Sequence, residues 1–393
     1  MSHSPPAVDD EAAWRDWRGA WSLREDTTYL NHGSFGPPPN VVREARRAWI
    51  DRLDEQPMDF FVRTLEPAWF AAREQLATFV GSRPEHLVFV ENATTGMNLV
   101  AANTPLAAGD EVLLTDHEYG AVNSIWRRAC DRSGARLRIA TLSLPFTSGE
   151  QVVDDIFRQV GPNTRLLVVS HITSATATIL PVEAICRQAR QRGLSVCVDG
   201  PHAVAQVPLA IDDLDCDYYT ASCHKWLCAP FGSGFLFVHP RRQDDFAPQQ
   251  LSWGRVESAE KTQWCDEFVW TGTRDPSAYL TVPAAIDFME HAGLDVFRRR
   301  SHHLAAHARR RLMESLGAEP LVPDDAAWYG SMALLRLPDG DRAALQRALW
   351  TQYGIEVPII DFAGRRYVRV SCHLYNTVAD IDRLVVALSE LLG

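Results

Sequence analysis

The 393-residue sequence predicts an α/β protein with two folded parts. A large domain is built on a mostly parallel seven-stranded sheet, and a smaller α+β domain follows at the C-terminal end. Three observations predict this. From about Val41, helix-period and strand-period segments alternate, as they do where helices flank a parallel sheet. One stretch reads as a complete βαβ crossover: LLVVS (Leu166–Ser170), a helix opened by Pro181 and closed by Gly193, then LSVCV (Leu194–Val198). After about Pro283 the alternation gives way to a long Arg/His-rich helix, strands and a last helix.

The elements follow in order. Residues up to about Asp10 are expected to be disordered, and Ala12–Ser22 to form a short Trp-rich helix. YLNHGSFGPPPN, from Tyr29, is expected as a loop, because its Gly and Pro residues prevent regular structure. These make an arm and loop over residues 1–40. In the large domain, 41–283, the strands are Leu87–Val90, Glu111–Thr115, Arg136–Leu142, Arg165–Ser170, Leu194–Val198, Tyr218–Ser222 and Gly234–Val238. The small domain, 284–393, opens with a helix at Leu294–Leu316. The strands MALLRL and YVRVS follow, and Thr377 with Asp380 forms a capping box for the last helix.

Composition excludes several classes of function. With 46% hydrophobic and 23% charged residues, the chain can bury a large core. A net charge of −11 argues against nucleic acid or an anionic membrane as partner. No apolar run is long enough to span a bilayer, and MSHSPPAVDDEAAW lacks the basic and apolar regions of a signal peptide, so a cytoplasmic location is expected. The eight cysteines contain no CxxC and are expected as reduced, buried thiols, with no metal site.

Among 39 basic residues only Lys225 and Lys261 are lysines. Arginine cannot replace lysine where an amine must lose its proton and attack a carbonyl. Lys261, in SAEKTQW, reads as a solvated surface residue. Lys225 lies in YYTASCHKWLCAPFGSGFLFV, between two strand-type runs, and reads as a Schiff-base lysine; alone it would serve equally as a salt-bridging residue. One strand earlier, Asp199 terminates LSVCVD at the carboxyl end, where open α/β sheets bind ligands. Lysine on an aldehyde carbon and carboxylate on a pyridinium nitrogen form the arrangement that pyridoxal phosphate (PLP) requires. ENATTGMNLVA adds a strand end and a helix start, with Thr94, Thr95 and Gly96 in a first turn suited to phosphate.

VDGPHA, SCHKWLCAPFGSGFL, YLNHGSFGPPP, GSMALLRLP and VRVSCHLYNTVADID resemble the class V aminotransferase family of fold-type I PLP enzymes. The likeness runs from about Tyr29 to the C-terminus and points to the isopenicillin N epimerase-like branch. It implies that Ser222 and His224 contact the phosphate, and that Gly272-Thr273 reaches the phosphate of a neighbouring subunit, giving a homodimer. It implies an aromatic residue over the PLP ring: His117 fits by position, and Tyr119 can also stack or act as an acid/base. His202 would hydrogen-bond the phenolate oxygen. In RYVRVS, Arg369 shares a face with Tyr367 and Ser371, and the resemblance selects it as the clamp for a substrate carboxylate. Asn31, His32 and Ser34 would line the substrate pocket.

The reaction implied is chemistry at Cα–H of an amino-acid-type substrate, with epimerization leading. C–S lysis of a cysteine conjugate or its sulfoxide is the alternative, and transamination is less favoured. Cysteine desulfurization is disfavoured because no cysteine lies between Ala326 and Arg369 to act as a swinging nucleophile. A nicotinamide dehydrogenase is disfavoured because no GxGxxG follows the first strand, and a non-catalytic cofactor carrier because every catalytic position is filled.

Overall fold

The computed structural model describes residues 6–254 and 263–393. A two-residue strand, β1 (Thr28–Tyr29), precedes the main sheet. That sheet comprises β2 (Leu87–Val90), β3 (Glu111–Thr115), β4 (Arg136–Ala140), β5 (Thr164–Ser170), β6 (Ser195–Asp199), β7 (Tyr218–Ser222) and β8 (Gly234–Val238). Its order is β2-β8-β7-β6-β5-β3-β4. All neighbours pair in parallel except at β8, which runs antiparallel to both β2 and β7. Side chains alternate between the two apolar layers: Leu87 and Phe89 enter one core, Val88 and Val90 the other. Both faces are therefore covered, as parallel sheets require.

The crossover over β5 and β6 is formed by the helix Val182–Gln191, with Pro181 at its N-cap. Its register sets Ser170 beside Asp199, and Asp199 in turn beside Thr220 of β7. Several strand ends predicted from the sequence shift. β6 extends one residue to include Asp199, and β4 stops at Ala140 because the Leu142 amide turns to the Asp116 carboxylate (3.2 Å).

C-terminal to this sheet lie β9 (Met332–Arg336), β10 (Ile355–Glu356), β11 (Ile359–Phe362) and β12 (Arg365–Ser371). Strands β11, β12 and β9 form an antiparallel sheet, whereas β10 pairs with β1. The helix Leu294–Leu316 contributes Leu304, Ala308 and Leu312, and the helix Val378–Leu392 contributes Ile381, Leu384 and Leu388, to one apolar cluster beneath that sheet. Thr377 and Asp380 form the reciprocal cap of the last helix.

The N-terminal segment departs from expectation. Instead of disorder to Asp10, the described residues 6–10 are tied down: Trp14 Nε1 donates to the Ala7 carbonyl (2.8 Å) and buried Arg300 to that of Val8 (2.8 Å). The Trp-rich helix spans only Glu11–Trp17 and passes into a tight turn at Arg18–Ala20. Among the described residues, no helix is long and apolar enough to cross a membrane.

Gly96 shows how closely the helix Ala93–Asn103 lies on the sheet. A Cβ at this position would stand 2.0 Å from Thr220 Oγ1. Gly96→Ala should therefore destabilise the fold by about 1–3 kcal/mol through overpacking, a loss that chemical denaturation will measure. Wild-type stability in that variant would refute the close contact.

Candidate active site

A cavity of about 870 Å³ opens where the carboxyl ends of β6 and β7 face the C-terminal sheet. Asp199, Ser222, His224, Lys225, Tyr119 and Arg369 reach its wall. The fold explains the convergence. Asp199 ends β6, Ser222 ends β7, and the chain must reverse into antiparallel β8 within 223–233, which places Lys225 at the lip of that turn.

Lys225 Nζ lies 3.0 Å from His202 Nε2. Burial lowers the Lys225 ammonium pKa below its ordinary value, and Arg369 adds to the shift, while Asp199 opposes it. Burial raises the Asp199 pKa and the Lys225 charge resists. Both effects bring the pair toward neutral pH, where an amine can be freed for attack. The backbone behind Lys225 is fixed by His32. Its Nε2–H donates to the Lys225 carbonyl (3.0 Å), and its Nδ1 accepts from the Tyr375 hydroxyl (2.9 Å).

The residues fit a phosphate-bearing cofactor. Ser222 Oγ accepts from the Ala93 amide (3.0 Å), so its own proton is available to an acceptor in the cavity. His224 Nδ1 is buried without a partner, and burial next to Lys225 holds the imidazole down at about 4. Thr94 and Thr95 also reach the cavity wall. Fewer first-turn amides are free than the sequence suggests, since Thr95 N–H caps onto Asn92 Oδ1 (2.9 Å) and Gly96 N–H onto the Asn92 carbonyl (3.1 Å). Gly96 faces Thr220, so it serves helix packing and not the phosphate.

Arg369 is buried, and its guanidinium donates to the Ser174 carbonyl and to Ser34 Oγ (3.0 Å) while leaving Nε unpartnered. Val368 and Val370 point into the opposite, apolar layer. Burial pulls Arg369 down to about 10, eased by nearby Tyr119, so it remains a cation at neutral pH. Sequence reasoning missed Ser174. The available signal was its place in ITSATAT, directly after the carboxyl end of β5.

Several expected positions fall elsewhere. The turn after β3 is anchored by buried Glu118, which accepts from Thr115 Oγ1 (2.7 Å), Ser170 N (3.1 Å) and Ser170 Oγ (2.6 Å). This anchor sends its neighbours different ways. His117 packs against Phe146 and Phe362 and bonds Asp116 (2.8 Å), whereas Tyr119 reaches the cavity. Of the two candidates for the ring-stacking position, Tyr119 lines the cavity and His117 does not. Asn31 turns away to Glu356 (3.0 Å), and His32 stacks on His373 (4.1 Å between centroids) beneath the site; of the N-terminal trio only Ser34 lines the cavity. Thr273, expected at the phosphate of a neighbouring subunit, is exposed and is not part of its own chain's cavity wall. Lys261 lies outside the described residues.

The sequence profile of the aminotransferase class-V family matches residues 63–384. The chain is 40% identical to an isopenicillin N epimerase of Amycolatopsis lactamdurans, over 96% of this chain and 98% of that one. It is 30% identical to a putative L-cysteine desulfhydrase of Oryza sativa subsp. japonica, over 93% of this chain and 83% of that one. Its fold superposes on that of a C-DES variant holding glycine covalently linked to its PLP cofactor. There the TM-score is 0.82 at 24% identity, covering 94% of this chain and 97% of that one.

Replacing Tyr119 by Ala should weaken retention of added PLP about tenfold, the scale of one aromatic stacking contact. His117→Gln should leave retention within about twofold, because a side chain outside the cavity wall contributes no such contact. Equilibrium dialysis checks both, and the opposite ranking would return the stacking role to His117.

Proposed function

The chain belongs to the aminotransferase class-V family, and we propose that within it the protein is a PLP-dependent enzyme that inverts the configuration at Cα of an amino-acid-type substrate. What carries this reading is the 40% likeness to an isopenicillin N epimerase along nearly the whole of both chains. Bound in the cavity, PLP supplies an electron sink for the pair left when a Cα–H bond breaks. Lys225 and Asp199 would hold it, with Ser222, His224, Thr94 and Thr95 serving its phosphate and His202 its phenolate oxygen. Arg369, preset by Ser34 and Ser174, orients the substrate through its α-carboxylate.

Inversion needs two proton-handling groups. The Lys225 amine, kept near neutrality by burial and Arg369, takes the Cα proton on one side. The Tyr119 hydroxyl returns a proton on the other. All eight cysteines are buried, and none lines the cavity, which speaks against a persulfide-forming thiol. C–S lysis of a cysteine conjugate or its sulfoxide remains the second reading, supported by the desulfhydrase likeness. We further propose a cytoplasmic homodimer in which Thr273 of each subunit completes the phosphate site of its partner. The division near Pro283 into two domains belongs to the same proposal, supported by the separate apolar cluster under the C-terminal sheet.

Borohydride reduction should fix PLP to Lys225, as read by peptide mass spectrometry; label found on Lys261 would refute the assignment. Turnover in deuterium oxide should place deuterium at Cα. Tyr119→Phe should lower inversion by about 10²–10⁴-fold while exchange in the original configuration persists. Pyruvate and ammonia released stoichiometrically from S-substituted cysteines, with no inversion of any amino acid tested, would replace the epimerase reading by the lyase. For the shared site, Thr273→Ala should weaken PLP retention without changing the unfolding midpoint. A fully active monomer in analytical ultracentrifugation would exclude it.

A further inference from the structure

We propose that Trp226 is a positioning residue that locks His202 in its Nε2–H tautomer, making the imidazole a fixed hydrogen-bond donor beside Lys225. The geometry is directional. Trp226 Nε1 lies 3.2 Å from His202 Nδ1, and His202 Nε2 lies 3.0 Å from Lys225 Nζ. An indole nitrogen only donates, so Nδ1 must accept, and the single proton of a neutral imidazole then sits on Nε2. His202 is neutral: burial holds its pKa well below the ordinary value, and the charges of Lys225 and Arg369 lower it further. The reversed tautomer would set two N–H groups head-on in a buried site.

Trp226 has no freedom to turn away. It is fully buried, with its ring nearly parallel to that of His373 (20°, 6.3 Å) and close to that of His32 (5.0 Å). Lys225 Nζ can meet the His202 N–H only through its lone pair, as the free amine. Burial and Arg369 draw Lys225 toward the amine, while Asp199 draws it toward the ammonium form; His32 and His373 lie behind, lowered by burial and neutral. A fixed N–H on His202 adds to the pull toward the amine. A two-residue relay thus sets the state of Lys225, starting from Trp226, which is not part of the cavity wall. Its use in catalysis rests on the PLP reading: the same fixed donor would suit the phenolate oxygen, an acceptor only.

The test uses the full-length chain labelled with ¹⁵N-histidine and ¹³C-lysine, before and after addition of PLP. Two lysines give two Cε signals, and Lys261→Arg identifies that of Lys225. In the wild type, His202 should be protonated at Nε2 and bare at Nδ1. Trp226→Phe keeps an aromatic ring but removes the donor. The Nδ1–H form should then gain population, and the Lys225 pKa should rise by about one unit, since an imidazole acceptor favours the ammonium. A wild-type His202 protonated at Nδ1, or an unchanged Lys225 pKa in folded Trp226→Phe, overturns the proposal. Should that variant not fold, the wild-type tautomer decides alone. Cofactor uptake is read separately from the visible band, so a chain that binds no PLP refutes the cofactor reading while the tautomer is still scored on its own.

Discussion

In the proposed reaction the site turns on one requirement: an amine that is an ammonium in water must be available as a base near neutral pH. Water would keep it protonated, so the fold withdraws it from water and opposes its charge. The reversal from β7 into β8 buries Lys225, Arg369 brings a second cation into the same cavity, and His202 meets Nζ at hydrogen-bond distance. Asp199 provides the counterweight. Without it two cations would share a poorly solvated space; burial displaces Lys225 and Asp199 toward the middle of the pH scale, and the attraction between their charges limits both shifts.

Holding such a group requires a stiff surround, and the surround comes from distant parts of the chain. His32 fixes the Lys225 carbonyl from the N-terminal loop, Trp226 and Tyr375 close the space behind, and Glu118 ties the turn carrying Tyr119 to the end of β5. Glu118 is itself displaced upward to about 7 by burial, against the pull of its hydrogen bonds from Ser170 and Thr115. Two buried carboxyl groups, Asp199 on the cavity wall and Glu118 in the turn before Tyr119, are costly to desolvate; hydrogen bonds to Glu118 and the Lys225 charge near Asp199 offset that cost.

Much of the fold was legible because its signals are local. Alternating apolar runs mark the seven strands, and the capping pair Thr377/Asp380 marks the last helix to the residue. Lys225 and Asp199 were legible because lysine is scarce here and because a carboxylate ending an apolar strand has few structural reasons to be there. What escaped depends on which way a turn faces. His117 and Tyr119 are two residues apart in one turn, and only the Glu118 anchor, made to a different strand, decides which enters the cavity. Asn31 and His32 looked like pocket residues for the same reason: their partners, Glu356 and Tyr375, lie more than three hundred residues downstream and leave no local trace. Ser174 acts on Arg369 largely through its carbonyl, and a main-chain contact leaves no residue-type signature in a sequence.

The bond from Arg369 to Ser34 spans 335 residues, and the pairing of β1 with β10 closes a loop of similar length. On a ribosome, the β2–β8 sheet can pair well before β12 emerges, but the pocket wall that Arg369 forms cannot. Ser34 and the loop around it must wait, solvated, through most of synthesis. The cavity is therefore closed only late in synthesis, and a nascent chain stalled short of Arg369 would hold the whole seven-stranded sheet while lacking one wall of that cavity.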